Sequence, residues 1–243
     1  MTENYQRAEV LVCALPYIKQ YSGKIVVVKY GGNAMINDDL KKAVMGDVAL
    51  LSLIGVRVVL VHGGGPELTE TMTRMNLPTR FVNGLRVTDR ETAQVALMVL
   101  AGKINKNLVN LLHGAGGRAI GLSGIDGHMI RARMLDESLG YVGEITAVNP
   151  DPILDVLDKG YIPVVSTVGC DDEGGIYNIN ADTAAARIAG ELGAACLVTM
   201  TDVAGILRDR EDPDTLIRHI DLGDVPRLIE TGVIAGGMIP KAQ

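Results

Sequence analysis

The chain has 243 residues, 47% of them hydrophobic and 3% aromatic, with no tryptophan, enough for one large α/β domain or two small lobes around an aliphatic core. Its formal charge of −6 contains no block of like charges, which argues against a general nucleic-acid or anionic-membrane surface and leaves any anionic ligand to a local cationic pocket. Cys13, Cys170 and Cys196 are scattered without a CxxC, and His62, His113, His128 and His219 lack metal spacing, so neither a zinc site nor a disulfide framework is indicated.

No unbroken apolar run reaches membrane-spanning length. The start MTENYQRAEV has acids where a signal peptide would be basic and then apolar, so a reducing cytoplasm is expected. The first twenty residues carry two helical stripes, Leu11, Leu15, Ile18 and Val10, Ala14, Tyr17, Tyr21, with Pro16 inside the pattern. A kinked helix with two apolar stripes is expected, more apolar surface than one terminal helix can bury on its own domain.

Strand-helix alternation follows. Ile25 to Lys29 reads as a strand buried on both faces, leading through YGGNAM to a helix over about Asp38 to Ile54. Val56 to Val61 reads as the next strand, leading through HGGGP to a helix starting near Glu67. This pattern predicts parallel strands with right-handed crossovers. Asn83-Gly84 between two short extended runs predicts a hairpin. A long helix is expected over about Arg90 to His113, capped by Gly114. RAIGLSG and HMIRARM read as strands, DDEGG as a second hairpin turn, DTAAARIAGELG as a helix ended by Gly193, ACLVTM as a strand, and Val225 to Thr231 as a helix. Two lobes on one continuous sheet are expected.

Both KYGGNAM and HGGGPEL follow a strand and lead toward a helix. Glycines there let backbone N–H groups approach an anion, and a helix N-terminus adds a positive dipole end. Neither loop is a Walker A sequence. GAGGRA fits GxGxxA but follows a helix and precedes a strand, the reverse of a dinucleotide site. Lys29, carried to the end of a buried strand beside two glycine loops, places a cation where ligands bind in open α/β sheets.

KYGGNAM, VHGGGPEL, FVNGLRVTD, GLSGIDG, GYVGEI, NINADTAAA, TDVAGIL and GGMIPK, in this order, resemble the amino-acid kinase family over about Ala8 to Lys241. Within it they are most similar to the branch that phosphorylates N-acetyl-L-glutamate. The resemblance implies an α/β fold, a mainly parallel open sheet sandwiched by helices, with β-hairpins in the substrate lobe. It also implies an oligomerisation helix in residues 1–20, an acetylglutamate-binding and dimerisation lobe in 21–175, and a nucleotide-binding lobe in 176–243. The implied reaction moves the γ-phosphoryl group of ATP to the side-chain carboxylate, a step of L-arginine biosynthesis. A carboxylate is already ionised at neutral pH, so no general base is required; catalysis reduces to alignment and charge screening.

Residue by residue, the resemblance gives Lys29, Asp182 and Lys241 catalytic roles. Lys29 would stabilise the transferring group, Lys241 would act near the leaving side, and Asp182 would orient both. The bland reading of Asp182 is an N-cap of the following helix. Gly31, Gly32, Thr201 and Asp202 are the implied ATP-binding positions. Gly64, Gly65, Arg86, Asn178 and Asn180 are the implied substrate-binding ones, with Arg86 clamping a carboxylate. Mg²⁺ is expected to arrive on the ATP phosphates, with no protein metal ligand. L-arginine is the implied inhibitor, and the implied assembly is a homodimer joined into a hexamer through the N-terminal helix, with no nucleic acid or membrane as partner.

The chain stops two residues after Lys241, where members of the family continue, so a fragment lacking part of the adenine pocket is expected. Ile125 stands where a basic residue is more usual in the family. The competing readings are another phosphotransferase of the same fold, a non-catalytic arginine- or nucleotide-binding regulator, and a dinucleotide oxidoreductase.

Overall fold

The computed structural model describes residues 3–201, 203–209 and 211–242. Helix α1 (Glu3–Tyr21) continues through Pro16 and precedes strand β1 (Ile25–Tyr30). Helix α2 (Asp38–Leu53) is capped by the Asn37 side chain, which accepts from the Asp39 and Leu40 amides, and leads to β2 (Arg57–His62) and α3 (Gly65–Arg74). The hairpin β3 (Phe81–Val82) and β4 (Leu85–Arg86) turns on Asn83 and Gly84, both at positive φ, +50° and +79°. That is the geometry an Asn-Gly turn favours.

A long helix comes next: α4 (Arg90–Leu97), a π-wound stretch Met98–Ile104, and α5 (Asn105–Gly114). By length and composition Arg90–Gly114 could cross a membrane. Lys103 and Lys106 interrupt its apolar run, and Val95, Val99, Leu108 and Leu112 are buried in the core. Gly114 is still helical; the stop falls at Gly116, whose φ of +86° takes the left-handed turn that glycine allows.

The remaining elements are β5 (Ala119–Ser123), β6 (Ile130–Met134), β7 (Gly143–Val148), α6 (Asp151–Asp158), β8 (Ile162–Ser166), β9 (Val168–Cys170), β10 (Ile176–Asn178), α7 (Ala181–Glu191), β11 (Cys196–Thr199), α8 (Val225–Glu230) and α9 (Ile239–Ala242). The central sheet has five parallel strands in the order β11–β1–β2–β8–β5.

Period-2 alternation in β1 and β2 separates two cores. Val26, Val28, Tyr30, Val58 and Leu60 pack with α2 and α5. Val27, Val59 and Val61 pack with α6 and α7. Both faces are therefore covered, as the apolar strands foretold. Fully burying each such side chain contributes roughly 1.5–3 kcal/mol.

The expected single sheet is instead two, with the β3–β4 hairpin as a third, small one. β10–β9–β6–β7 form a separate mixed sheet. The chain passes from one sheet to the other at Thr167, between β8 and β9. The change of partners there breaks the ladder: β8 lies between β2 and β5, whereas β9 pairs antiparallel with β10. Gly124 makes the crossing possible, because a Cβ on it would meet the Val168 carbonyl at 2.3 Å.

Candidate active site

β1 and β2 end in register, with Tyr30 opposite His62. The loops Gly31-Gly32 and Gly63-Gly64-Gly65 therefore leave from adjacent strand ends. The Gly63 amide donates to the Tyr30 carbonyl at 3.0 Å and ties the two loops together. Gly64 is the N-cap of α3 and Gly65 its first residue, so their N–H groups lie at a helix start, where no intrahelical acceptor exists and the dipole favours an anion. Gly64 has a packing reason as well: a Cβ there would lie 2.1 Å from Ile104 Cδ1 and 2.8 Å from Leu100 Cδ2.

Lys29 shares the β1 face of Val27, the face covered by α7. Its Nζ is 2.9 Å from Asp182 Oδ1 in the first turn of that helix, and both side chains are nearly buried. Lys241 Nζ donates to Asp182 Oδ2 at 3.1 Å. Asp182 is thus not the cap. Asn180 is: its Oδ1 accepts from the Asp182 and Thr183 amides at 2.9 and 3.1 Å. The cap position precedes the first helical residue, which is Ala181, so Asn180 holds the geometry that the sequence could also have given to Asp182.

Arg86 lies across the same cleft, only 6% exposed. It donates to the Gly65 carbonyl at 3.0 Å and to Thr69 Oγ1 at 2.7 Å, and its guanidinium sits 4.7 Å from the Phe81 ring centre. Burial lowers its pKa below the ordinary arginine value. No carboxylate pairs with it among the described residues. A buried cation with neutral partners leaves part of its charge for a ligand anion. Asn178, at the end of β10, donates to Thr88 Oγ1 at 3.4 Å.

One cavity of about 230 Å³ is lined by Lys29, Asp182, Arg86 and Asn178, by Asn180 and by the glycines of both loops. A second, of about 450 Å³, is lined by Thr201, Gly205, Val233, Gly236 and Lys241. Lys241 borders the second cavity while bonding Asp182 in the first, so the ion-paired carboxylate stands where the two meet. Asp202 lies outside the described residues. A third cavity, about 460 Å³, lies behind Gly64. Its Lys41 and Lys103 are already paired with Asp38 and Glu67, so the smaller cleft, with its uncompensated Arg86, is the better anion site.

Several lining residues were not singled out in the sequence: Gly63, Phe81, Leu100 and Thr167. Thr167 follows β8, a central strand the sequence reading left unassigned. The run YIPVVSTV carries the β-branched signal that could have found it.

The family model for the amino acid kinase family matches residues 24–243. The acetylglutamate kinase of Brachyspira hyodysenteriae is 52% identical over 242 residues, covering 99% of this chain and 84% of that protein. The chloroplastic acetylglutamate kinase of Arabidopsis thaliana is 50% identical over 239 residues, covering 98% of this chain and 69% of that protein. A crystal structure of a Streptococcus mutans protein superposes with a TM-score of 0.79 at 33% identity, over 90% of this chain and 87% of that one. With the glycine loops, the central parallel sheet and the helices on both its faces in agreement, the chain belongs to the amino acid kinase family.

Proposed function

We propose that this chain is a cytoplasmic kinase that transfers the γ-phosphoryl group of ATP to the side-chain carboxylate of N-acetyl-L-glutamate, giving N-acetyl-L-glutamyl 5-phosphate and ADP in L-arginine biosynthesis. The observation that carries the reading is the cleft itself. Two lysines share one carboxylate at one side, and a buried arginine lacking a described counter-ion stands at the other. The identity of about half to acetylglutamate kinases supports the choice of acceptor.

In this reading the acetylglutamate lobe spans residues 21–175 and the nucleotide lobe 176–243. Arg86 and Asn178 hold the acceptor's carboxylate, with Asn180 beside them keeping its amide Nδ2 for the ligand while Oδ1 caps α7. The Gly64 and Gly65 amides point charge at the transferring group, and Gly31 and Gly32 let the ATP phosphates approach β1. Thr201 bounds the nucleotide side, and the resemblance assigns Asp202 to nucleotide binding. Lys29 neutralises charge on the phosphoryl oxygens, and Lys241 does so on the leaving phosphate. Asp182 holds the ammonium groups apart and in place. The acceptor oxygen attacks the γ-phosphorus as the bond to the β,γ-bridging oxygen breaks, with no proton to remove.

Mg²⁺ would enter on the ATP phosphates and supply further charge neutralisation. Asp182, the one carboxylate among the described residues lining the cleft, is already engaged by both lysines, which leaves the metal to the phosphates.

The reading extends to assembly. Val10, Leu11, Val12, Leu15 and Tyr17 of α1 are at least half exposed. Pairing with α1 of another subunit would cover them and join dimers into a hexamer, on which L-arginine would act as feedback inhibitor.

The test is ADP release with acyl-phosphate trapping by hydroxylamine, across N-acetyl-L-glutamate, L-glutamate, L-aspartate and carbamate. Hydroxamate from acetylglutamate alone is expected. Equal turnover of another acceptor would favour a different phosphotransferase, and binding without turnover a regulatory protein.

A further inference from the structure

His62 closes β2 on the face opposite Lys29's partner helix and is fully buried, as is Asn105 at the start of α5. They stand 43 residues apart in sequence, and Asn105 Nδ2 lies 3.1 Å from His62 Nε2. The same Nδ2 donates to the Val164 carbonyl at 2.8 Å and the Leu122 carbonyl at 3.2 Å. Asn105 Oδ1 accepts from Lys106 Nζ at 3.1 Å. A carbonyl oxygen only accepts, so His62 Nδ1 carries the ring proton and donates it to the Gly63 carbonyl at 2.9 Å. Burial keeps the ring neutral, so Nε2 is bare and faces the Asn105 amide, whose two N–H groups are shared among this nitrogen and the two carbonyls.

One amide thus bridges three parallel strands, β2, β5 and β8. Strand β5 is shaped for it: a Cβ on Gly121 would lie 1.8 Å from Asn105 Oδ1. Gly63 is held at both ends, its carbonyl by His62 and its amide by Tyr30. The π-wound stretch before Asn105 brings Leu100 and Ile104 against Gly64. π-turns are rare and occur mostly at functional sites. A buried polar network such as this is costly unless fully satisfied, and satisfied it selects one geometry.

We propose that His62 and Asn105 are positioning residues for phosphoryl transfer: through the Gly63 carbonyl they fix the Gly64 and Gly65 amides that face the transferring group. Neither touches substrate. The proposal rests on the kinase reading above, and it adds a device that acts from the far side of the sheet.

The experiment has two arms. In the intact wild-type protein, ¹⁵N ring shifts of labelled His62 should show Nδ1 protonated and Nε2 bare at neutral pH; the opposite tautomer overturns the proposal whether or not the protein is a kinase. In the second arm, His62→Leu is compared with His62→Asn, whose amide can still donate to the Gly63 carbonyl. His62→Leu should lower kcat about 10–100-fold with KM values within about threefold, as expected for displaced transition-state donors. It should also speed hydrogen exchange at the Gly63 amide at least about tenfold while β8 amides stay protected. His62→Asn should recover most of kcat. A loss of thermal stability with unchanged kcat, or no recovery in His62→Asn, overturns the proposal. If His62→Leu does not fold, the ring tautomer and the Asn variant's Gly63 exchange decide. Wild-type protein that transfers no phosphoryl group would sink the kinase reading and leave the tautomer and exchange results standing.

Discussion

Lys29 and Lys241 hold opposite oxygens of one carboxylate, Oδ1 and Oδ2 of Asp182, at 2.9 and 3.1 Å. Two ammonium groups so close repel each other, and the shared anion offsets that repulsion while leaving a net positive charge. Such an arrangement suits a transferring phosphoryl group, whose negative charge completes the balance only when substrate is present. Replacing Lys29 with Met should lower kcat by about 10²–10³, or about 3–4 kcal/mol, with smaller changes in KM. Steady-state kinetics checks this; a kcat within about twofold, under half a kcal/mol, would move the role elsewhere.

Arg86 distinguishes charge from shape. Arg86→Lys keeps a cation but loses the planar guanidinium, whose Nη2 alone donates to both the Gly65 carbonyl and Thr69 Oγ1. KM for acetylglutamate should rise at least about tenfold, equivalent to about 1.4 kcal/mol, with KM for ATP nearly constant. Parallel rises in both would place Arg86 outside the acceptor site.

The strand-to-glycine transitions were legible because they are local. Four β-branched residues followed by lysine and glycines leave few alternatives, and the observed β1 and its loop follow that reading. The role of Asp182 was not legible in the same way. Asn180 and Asp182 are both good caps by type, and only the placement of α7 over β1 shows which one reaches Lys29. The break between the two sheets was missed because it depends on which strands become neighbours, not on the run Ile162 to Cys170 itself. The His62–Asn105 contact carries no sequence signal; a histidine before a glycine loop and an asparagine in a long helix have no shared period. The family resemblance supplied the candidate residues; the fold gathers Lys29, both glycine loops, Arg86, Asn178, Asn180 and Asp182 in one cleft and puts Thr201 and Lys241 in a second cavity.

Gly64→Ala tests steric demand. Its φ of 167° is ordinary extended backbone, so the cost lies in contact, not in strain. The new methyl would drive into Ile104 and Leu100, both buried. Overpacking of this kind costs about 1–3 kcal/mol, and thermal unfolding should show it. Because the same methyl displaces a proposed phosphoryl-binding amide, kcat should fall as well. An unchanged melting temperature would mean that the π-wound stretch yields freely.

The buried imidazole sets an acid limit on stability. Burial pushes the His62 pKa down to about 4, while the unfolded chain titrates near its ordinary value of about 6.5. Between those values the unfolded state binds more protons, so stability rises with pH across this window and is lost as pH falls through it. The full span corresponds to about 3 kcal/mol. Melting temperatures measured from neutral pH down to about 4.5 should drop. His62→Asn should flatten that part of the curve; an unchanged slope would show that other groups dominate acid loss.

Helix α1 gives the last prediction. Val10, Leu11 and Val12 are 68%, 69% and 63% exposed, and Leu15 and Tyr17 are 50% and 66% exposed. Leu11 and Leu15 lie on one stripe of this helix and Val10 and Tyr17 on the other, exposed apolar surface of the kind that marks association. A two-fold pairing of identical helices would bury the same residues from both subunits at once. If such pairings link dimers into a ring, light scattering of the intact protein should give a hexamer. Deleting residues 1–20 should give dimers, because the deletion leaves the sheet and its cleft untouched. Activity should persist in those dimers. If L-arginine acts through the ring, as proposed, inhibition should vanish, since that ring would no longer form. Leu11→Glu with Leu15→Glu should do the same without shortening the chain, by placing like charges opposite one another in the paired helices. Dimers from the intact protein, or arginine inhibition that survives both changes, would show that α1 serves another purpose.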